Sequence, residues 1–227
     1  MEQNIPHTVG IIMDGNRRHA RQKNLPALEG HRAGYMKLRE VRRWAKEVGI
    51  KELIVYAFST ENWNRTKEEV GYLMNLFSEA IGVLSHEAMQ EDTRVIFIGD
   101  RSMLGEDIVS AMSDVEEKTQ HNGSFMFCIA LSYGGRAEII DAIHRIPRES
   151  LATVSEAEFA KLLWTKDLSD PDLIIRTSGE ERLSNFLPWQ SIYSELMFTK
   201  TLWPDLTKDE FLRMLSEYSA RKRRLGK

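Results

Sequence analysis

Five short apolar runs, set between longer stretches with helical spacing, constrain the fold of this chain more than any other feature. TVGIIM (8–13), LIVYAFS (53–59), RVIFIG (94–99), FMFCIALS (125–132) and DLIIRT (172–177) are continuous rather than alternating. A strand covered on one face alternates apolar and polar residues, whereas a strand covered on both faces reads as an unbroken run. Residues 30–48, 66–91, 105–120 and 135–146 carry helical patterns between them. This β-α-β-α order predicts a mostly parallel sheet with helices on both faces. ELMFT (195–199) is a candidate sixth strand, and TKDEFLRMLSEYSARKRR (207–224) a closing helix. Thr207 stands ahead of Asp209 and Glu210, as a helix start prefers. No repeat, low-complexity tract or linker interrupts the pattern, so residues 1–227 are expected to form one α/β domain.

The bulk numbers narrow the function classes. A net charge of −3 argues against bulk electrostatic binding to nucleic acid. The single cysteine, Cys128, excludes an internal disulfide framework and fits a reducing cytoplasm. Its neighbours in FMFCIAL are apolar, which predicts a buried structural thiol. The longest wholly apolar run, Phe125 to Leu131, falls far short of the roughly 20 residues of a membrane-spanning helix. The N-terminus lacks the charged and apolar regions of a signal peptide. No GxGxxG follows the first strand, and GxxxxGK[ST], CxxC, HExxH and DDxxD are all absent. Neither the nucleotide-binding fingerprints nor the zinc motifs apply.

Ligands of parallel sheets bind beyond the carboxyl ends of the strands, and the polar clusters fall there. DGNRRHAR follows the first strand, STENWNR the second, LSYGGR the fourth and RTSGEERLSN the fifth. Convergence of these loops on one rim is expected. Gly15 and Asn16 suit a tight turn, and Arg17, Arg18 and Arg21 are placed to cradle phosphate oxygens. Asp14 among those cations is a candidate hard-metal ligand. The competing reading is an Asp-capped turn followed by a solvated basic helix. GHRAG (30–34) opens a helix, where His31 is either an anion ligand or a surface residue. Ser59, Asn62, Trp63 and Arg65 are either site residues or turn formers around a scaffold Trp. Arg176, Arg182 and Ser184 suggest a second anion site, with surface ion pairs as the alternative. Glu195 is a second carboxylate in reach of a shared metal only if the rest of the site exists. Val70, Leu73, Met74, Phe77, Ile81, Leu84 and Ala88 form a broad stripe on one helix, either core or the wall of an apolar channel.

HTVGIIMDGNRRHA, GHRAG, YAFSTENWNR, YGGR and DLIIRTSGEERLSNFLPWQSIYSELMFT stand in this order. With these motifs the chain resembles the cis-prenyltransferase family from about His7 to the C-terminus. The resemblance implies a six-stranded α/β homodimer with a hydrophobic tunnel. It also implies elongation of an allylic diphosphate, usually farnesyl diphosphate, by isopentenyl diphosphate with Mg2+. Asp14 would be the essential aspartate, aiding metal binding and diphosphate departure, with Asn62 beside it in catalysis. Gly15, Asn16, Arg17, Arg18 and His31 would serve the allylic diphosphate, together with Ser59, Trp63 and Arg65. Arg176, Arg182 and Ser184 would grip isopentenyl diphosphate, joined by Arg224 and Gly226 of the C-terminal RxG element. Asp14 and Glu195 would hold the metal. Ala57, Leu73 and Phe77 would line the tunnel.

Residues 66–91 carry no obvious insertion, which favours a product near undecaprenyl diphosphate, with a short-chain product as competitor. Arg17 and His19 flank Arg18 where Gly-Arg-Trp is common, and Ala27 stands where many members have arginine. Those departures leave head-to-middle coupling as a rival. A phosphatase or phosphotransferase would need a nucleophile or activated water near Asp14, and no second acid lies beside it, while non-catalytic partner subunits typically lose the aspartate that this chain keeps. The expected setting is the cytoplasm, with peripheral membrane contact when product leaves.

Overall fold

A computed structural model of the chain describes residues 4–221. Strands β1 (Thr8–Ile12), β2 (Glu52–Ser59), β3 (Thr93–Ile98), β4 (Phe125–Tyr133), β5 (Leu173–Arg176) and β6 (Glu195–Phe198) form one sheet in the order β3-β4-β2-β1-β5-β6. Every pairing is parallel, so the sheet is parallel throughout. All six strands fall where the apolar runs placed them.

The helices are α1 (Asn16–Gln22), α2 (Ala27–Glu47), α3 (Lys67–Gln90), α4 (Glu106–Thr119), α5 (Gly135–His144), α6 (Glu156–Ala160) and α7 (Lys208–Ala220). Two details differ from expectation. The second helix begins at Ala27, one turn before GHRAG, because Pro26 fixes an extended N-cap and the helix runs on from it. The short helices α1 and α6, seven and five residues long, give no room for a periodic signal.

The inner strands β1, β4 and β5 and the first half of β2 are buried on both faces, as the unbroken apolar runs required, while the edge strand β3 alternates buried and half-buried residues. Ile11 packs into one core cluster and Ile12 into the other; Leu53 and Ile54 divide the same way. Cys128 sits in the second cluster with no exposure, and burial pushes its thiol pKa well up. It is structural.

The topology places a crevice. From β1 the chain crosses to β2 on one side, while β5, on the other side of β1, leads outward to β6. The loops leaving β1 and β5 therefore part, and the gap between them at the carboxyl edge is where a parallel sheet binds ligand.

Candidate active site

Asp14 and Arg176 meet at that gap. Arg176 ends β5 opposite Ile12, two residues before Asp14, and its Nη2 donates to Asp14 Oδ2 at 2.9 Å. The other terminal nitrogen donates to Ser184 Oγ at 2.7 Å and to the Arg182 carbonyl. Arg176 is 4% exposed, so this guanidinium is fixed by three partners rather than by solvent. Thr177 steadies the aspartate: its hydroxyl accepts from the Asp14 amide at 3.0 Å and donates to the Asp14 carbonyl at 2.7 Å. Arg18 approaches Asp14 Oδ1 at 3.7 Å and donates to the Ser178 carbonyl at 2.8 Å.

Behind Asp14 the chain turns sharply. Gly15 has φ +112°, a conformation that side chains rarely adopt, and Leu202 packs against it. The turn launches α1 and points Arg17, Arg18 and Arg21 into a polar cleft of about 350 Å3, which Arg65 and His31 also line. Glu69 organises its far wall. Its carboxylate accepts from His31 Nε2 at 3.0 Å and Arg65 Nη1 at 3.2 Å, with Arg17 at 3.9 Å. Burial lowers the His31 pKa below 6.5, partly opposed by the Glu69 hydrogen bond. Burial also lowers that of Arg65. Four arginines lining one cleft, answered mainly by Asp14 and Glu69, make an anion site.

A second, apolar cavity of about 110 Å3 lies beside this cleft, between α2, α3 and the sheet. Met13, Asn16 and His31 line both spaces. Ala57, Leu73 and Phe77 line the apolar one. Asn16 Oδ1 is buried at the junction with no hydrogen-bond partner among the described residues.

The loops do converge. Asn185 binds Glu61 through Nδ2 at 3.0 Å, the Arg136 amide through Oδ1 at 2.9 Å and the Gly135 amide through its carbonyl at 2.9 Å. One asparagine thereby ties the loops after β2, β4 and β5. Ser178, Ser184, Asn185 and Leu187 all have positive φ. Non-glycine residues held this way mark a backbone forced by its surroundings, a common property of binding loops.

Not every candidate is free to bind. Asn62 Oδ1 accepts from the Ser59 amide at 3.1 Å, and Trp63 Nε1 donates to Ser132 Oγ at 3.0 Å. Arg182 turns its exposed side chain to Glu180. His19 is buried against Asp205 at 2.9 Å, so the unusual residue in DGNRRHA is a packing feature. Within the chain the structure does not bring Glu195 to Asp14. Glu195 opens β6 in register with Leu173, which opens β5, while Asp14 lies beyond the closing end of β1. Its carboxylate binds Arg221 at 2.6 Å. Arg224 and Gly226 lie outside the described residues. Sequence reasoning missed Glu69, Thr177, Asn185 and Asp205, since each reads locally as a cap or turn residue.

Residues 12–226 match the family described as putative undecaprenyl diphosphate synthase. The chain belongs to this family of cis-prenyltransferases. It is 47% identical over 226 residues to an isoprenyl transferase of Thermotoga maritima, covering 98% of this chain and 97% of the relative. Identity is 42% over 228 residues to the Micrococcus luteus ditrans,polycis-undecaprenyl-diphosphate synthase specific for (2E,6E)-farnesyl diphosphate, covering 98% and 92%. The crystal structure of lavandulyl diphosphate synthase from Lavandula x intermedia, in complex with dimethylallyl diphosphate, superposes with a TM-score of 0.94 at 35% identity. That likeness covers 98% of this chain and 99% of the other. Family membership makes the chain a prenyltransferase acting on prenyl diphosphates. No helix among the described residues is long and apolar enough to cross a membrane.

Proposed function

We propose that the chain condenses isopentenyl diphosphate with farnesyl diphosphate to give a Z-polyprenyl diphosphate near undecaprenyl length. One observation carries this reading: an arginine-lined cleft adjoins an apolar cavity, sharing Met13, Asn16 and His31 with it. That shape suits a molecule with a diphosphate head and a hydrocarbon tail. Each buried CH2 contributes about 0.8 kcal/mol, so a longer tail holds more tightly and product release becomes slow.

Arg17, Arg18, Arg21 and Arg65 take the allylic diphosphate in this reading. Arg176, Arg182 and Ser184 take isopentenyl diphosphate. The allylic C–O bond breaks with its electron pair leaving on diphosphate as the new C–C bond forms, and the condensed unit sheds a proton. Fixed cations aimed at the departing oxygens stabilise that charge without reorganising. Asp14, held by Arg176 and Thr177, is the hard carboxylate that would hold Mg2+. The fit is to a cation that keeps one or two carboxylates and takes its other ligands from substrate phosphates and water. When bound, Mg2+ would neutralise charge on the leaving diphosphate.

A homodimer completes the reading. Ile192 and Tyr193, each 70% exposed, stand just before the edge strand β6 with Leu196 beside them, an apolar patch that supports a partner surface. The enzyme acts from the cytoplasm, touching the membrane as product leaves. Head-to-middle coupling is the second reading, favoured by Ala27 and by the dimethylallyl diphosphate in the lavandulyl diphosphate synthase structure.

The deciding experiment incubates purified protein with Mg2+, labelled isopentenyl diphosphate and each of dimethylallyl, geranyl and farnesyl diphosphate. Products are dephosphorylated and sized by mass spectrometry. A ladder ending near undecaprenyl from farnesyl diphosphate is expected. One short product reassigns the chain to short Z-prenyl diphosphates, and product from dimethylallyl diphosphate alone establishes coupling instead.

A further inference from the structure

The apolar cavity does not end in hydrocarbon. Its lining runs down α2 from His31 through Leu38 and finishes on Arg39 and Arg42, with Glu87 of α3 opposite. Arg42 is 5% exposed, rare for an arginine. Its Nη2 donates to Glu87 Oε2 at 2.8 Å and lies 3.2 Å from Glu91 Oε2. The guanidinium stands 5.8 Å from the centre of the Phe127 ring, another lining residue. Arg42 Nε is buried without a partner. Arg39 binds the other oxygen of Glu87, and Lys46 binds the Glu91 carbonyl. Above this layer the walls are Leu73, Phe77, Ile81, Leu84 and Ile129.

We propose that the Arg42–Glu87 pair is the floor of the tunnel and sets the longest tail it accepts. The inference rests on the tail-binding reading above but not on elongation itself. A hydrocarbon end cannot replace a partner of a desolvated ion pair, so pushing Arg42 and Glu87 apart takes from each a charged partner and returns none. The tail therefore stops, or turns back, where the guanidinium begins. From His31 to Arg42 is eleven residues of one helix, about 16 Å along α2, so the floor limits a long tail by making it fold back within the apolar space rather than run on extended. Phe127 alone is a softer boundary, since an aromatic ring can shift its rotamer while a doubly paired guanidinium cannot move without losing its bonds.

The test uses saturated alkyl diphosphates of increasing length, which bind but cannot react, with affinity measured by calorimetry. In the wild-type protein affinity rises about fourfold per methylene and stops rising at one chain length. Arg42→Met removes the guanidinium and keeps an apolar side chain, while Glu87 retains Arg39 as its partner. The first chain beyond the wild-type stop should then bind about fourfold tighter than to wild type. Arg42→Met/Glu87→Leu, which removes both charges of the pair and leaves the exposed Arg39 side chain to solvent, should do the same, and thermal melting reports whether each variant is folded. A wild-type affinity that keeps climbing overturns the floor outright, whether or not the variants fold. An identical stop length in a folded variant overturns it equally. Product sizing is run in parallel. Absence of elongation by the wild-type protein would sink the proposed function while the binding series still decides the floor.

Discussion

Asp14 sits where a mutation separates chemistry from stability. Arg176 keeps Ser184 and the Arg182 carbonyl as partners without it, so Asp14→Asn should fold normally. Turnover should fall about 100- to 1000-fold, the usual loss when one group stabilising developing charge is removed. Steady-state product formation beside a circular-dichroism melt checks both halves. His19 predicts the reverse. Asp205→Ala leaves a buried imidazole without its 2.9 Å partner, which should cost about 1–3 kcal/mol of stability and leave product length untouched. Urea unfolding would show the loss, and an altered product ladder would contradict a packing role. His31 makes the protein sensitive to acid. Its folded pKa lies below 6.5, so the unfolded chain takes up a proton that the folded chain resists. This contribution to stability is complete above the unfolded pKa and is lost as pH falls through it towards the folded value. Melting temperatures between pH 7.5 and 5 should fall less steeply in His31→Gln than in wild type, and equal slopes would reject the assignment. Inorganic diphosphate in the cleft should flatten the wild-type slope by favouring the imidazolium.

Helix α2 shows how one element serves both packing and site. A Cβ on Gly30 would strike the backbone carbonyl of Asn16, whereas one on Gly34 would strike only the Asn16 side-chain amide. Trp203 Nε1, in turn, donates to the Gly34 carbonyl at 2.8 Å, holding the helix in place. Alanine gains up to about 1 kcal/mol of helix propensity, but overpacking costs about 1–3 kcal/mol. Backbone cannot step aside, so Gly30→Ala should be destabilised by up to about 2 kcal/mol in chemical denaturation. At Gly34 the amide can swing away. Gly34→Ala should therefore melt near wild type while raising KM for the allylic substrate, because Asn16 leaves the junction of cleft and tunnel. A large stability loss with unchanged KM would show that Asn16 is scaffold alone.

At the scale of the whole molecule, the exposed Ile192 and Tyr193 beside β6 test assembly. Ile192→Glu/Tyr193→Asp should convert a dimer to a monomer in analytical ultracentrifugation, and an unchanged mass would place the interface elsewhere. The architecture itself was largely legible: strands covered on both faces must be apolar throughout, so five runs and a shorter sixth located the sheet, and the expected parallel direction put the polar loops on one rim. Tunnel residues were legible only as alternatives, because a helical stripe looks the same whether it packs solidly or walls a space. Asn62 and Trp63 were legible as a motif, yet their bonds to Ser59 and Ser132 belong to tertiary structure. Glu195 marks the limit most clearly. A carboxylate a short way after Arg176 in sequence suggests a shared site, but a parallel strand restarts at the opposite edge of the sheet, and register carries Glu195 away from Asp14. By itself the sequence determined the parallel sheet, the basic loop around Asp14 and the family, because local periodicity and motif order encode them. Which charges pair, where the tunnel ends and which candidates share one cleft were decided by tertiary structure alone, since those depend on distances between residues far apart in the chain.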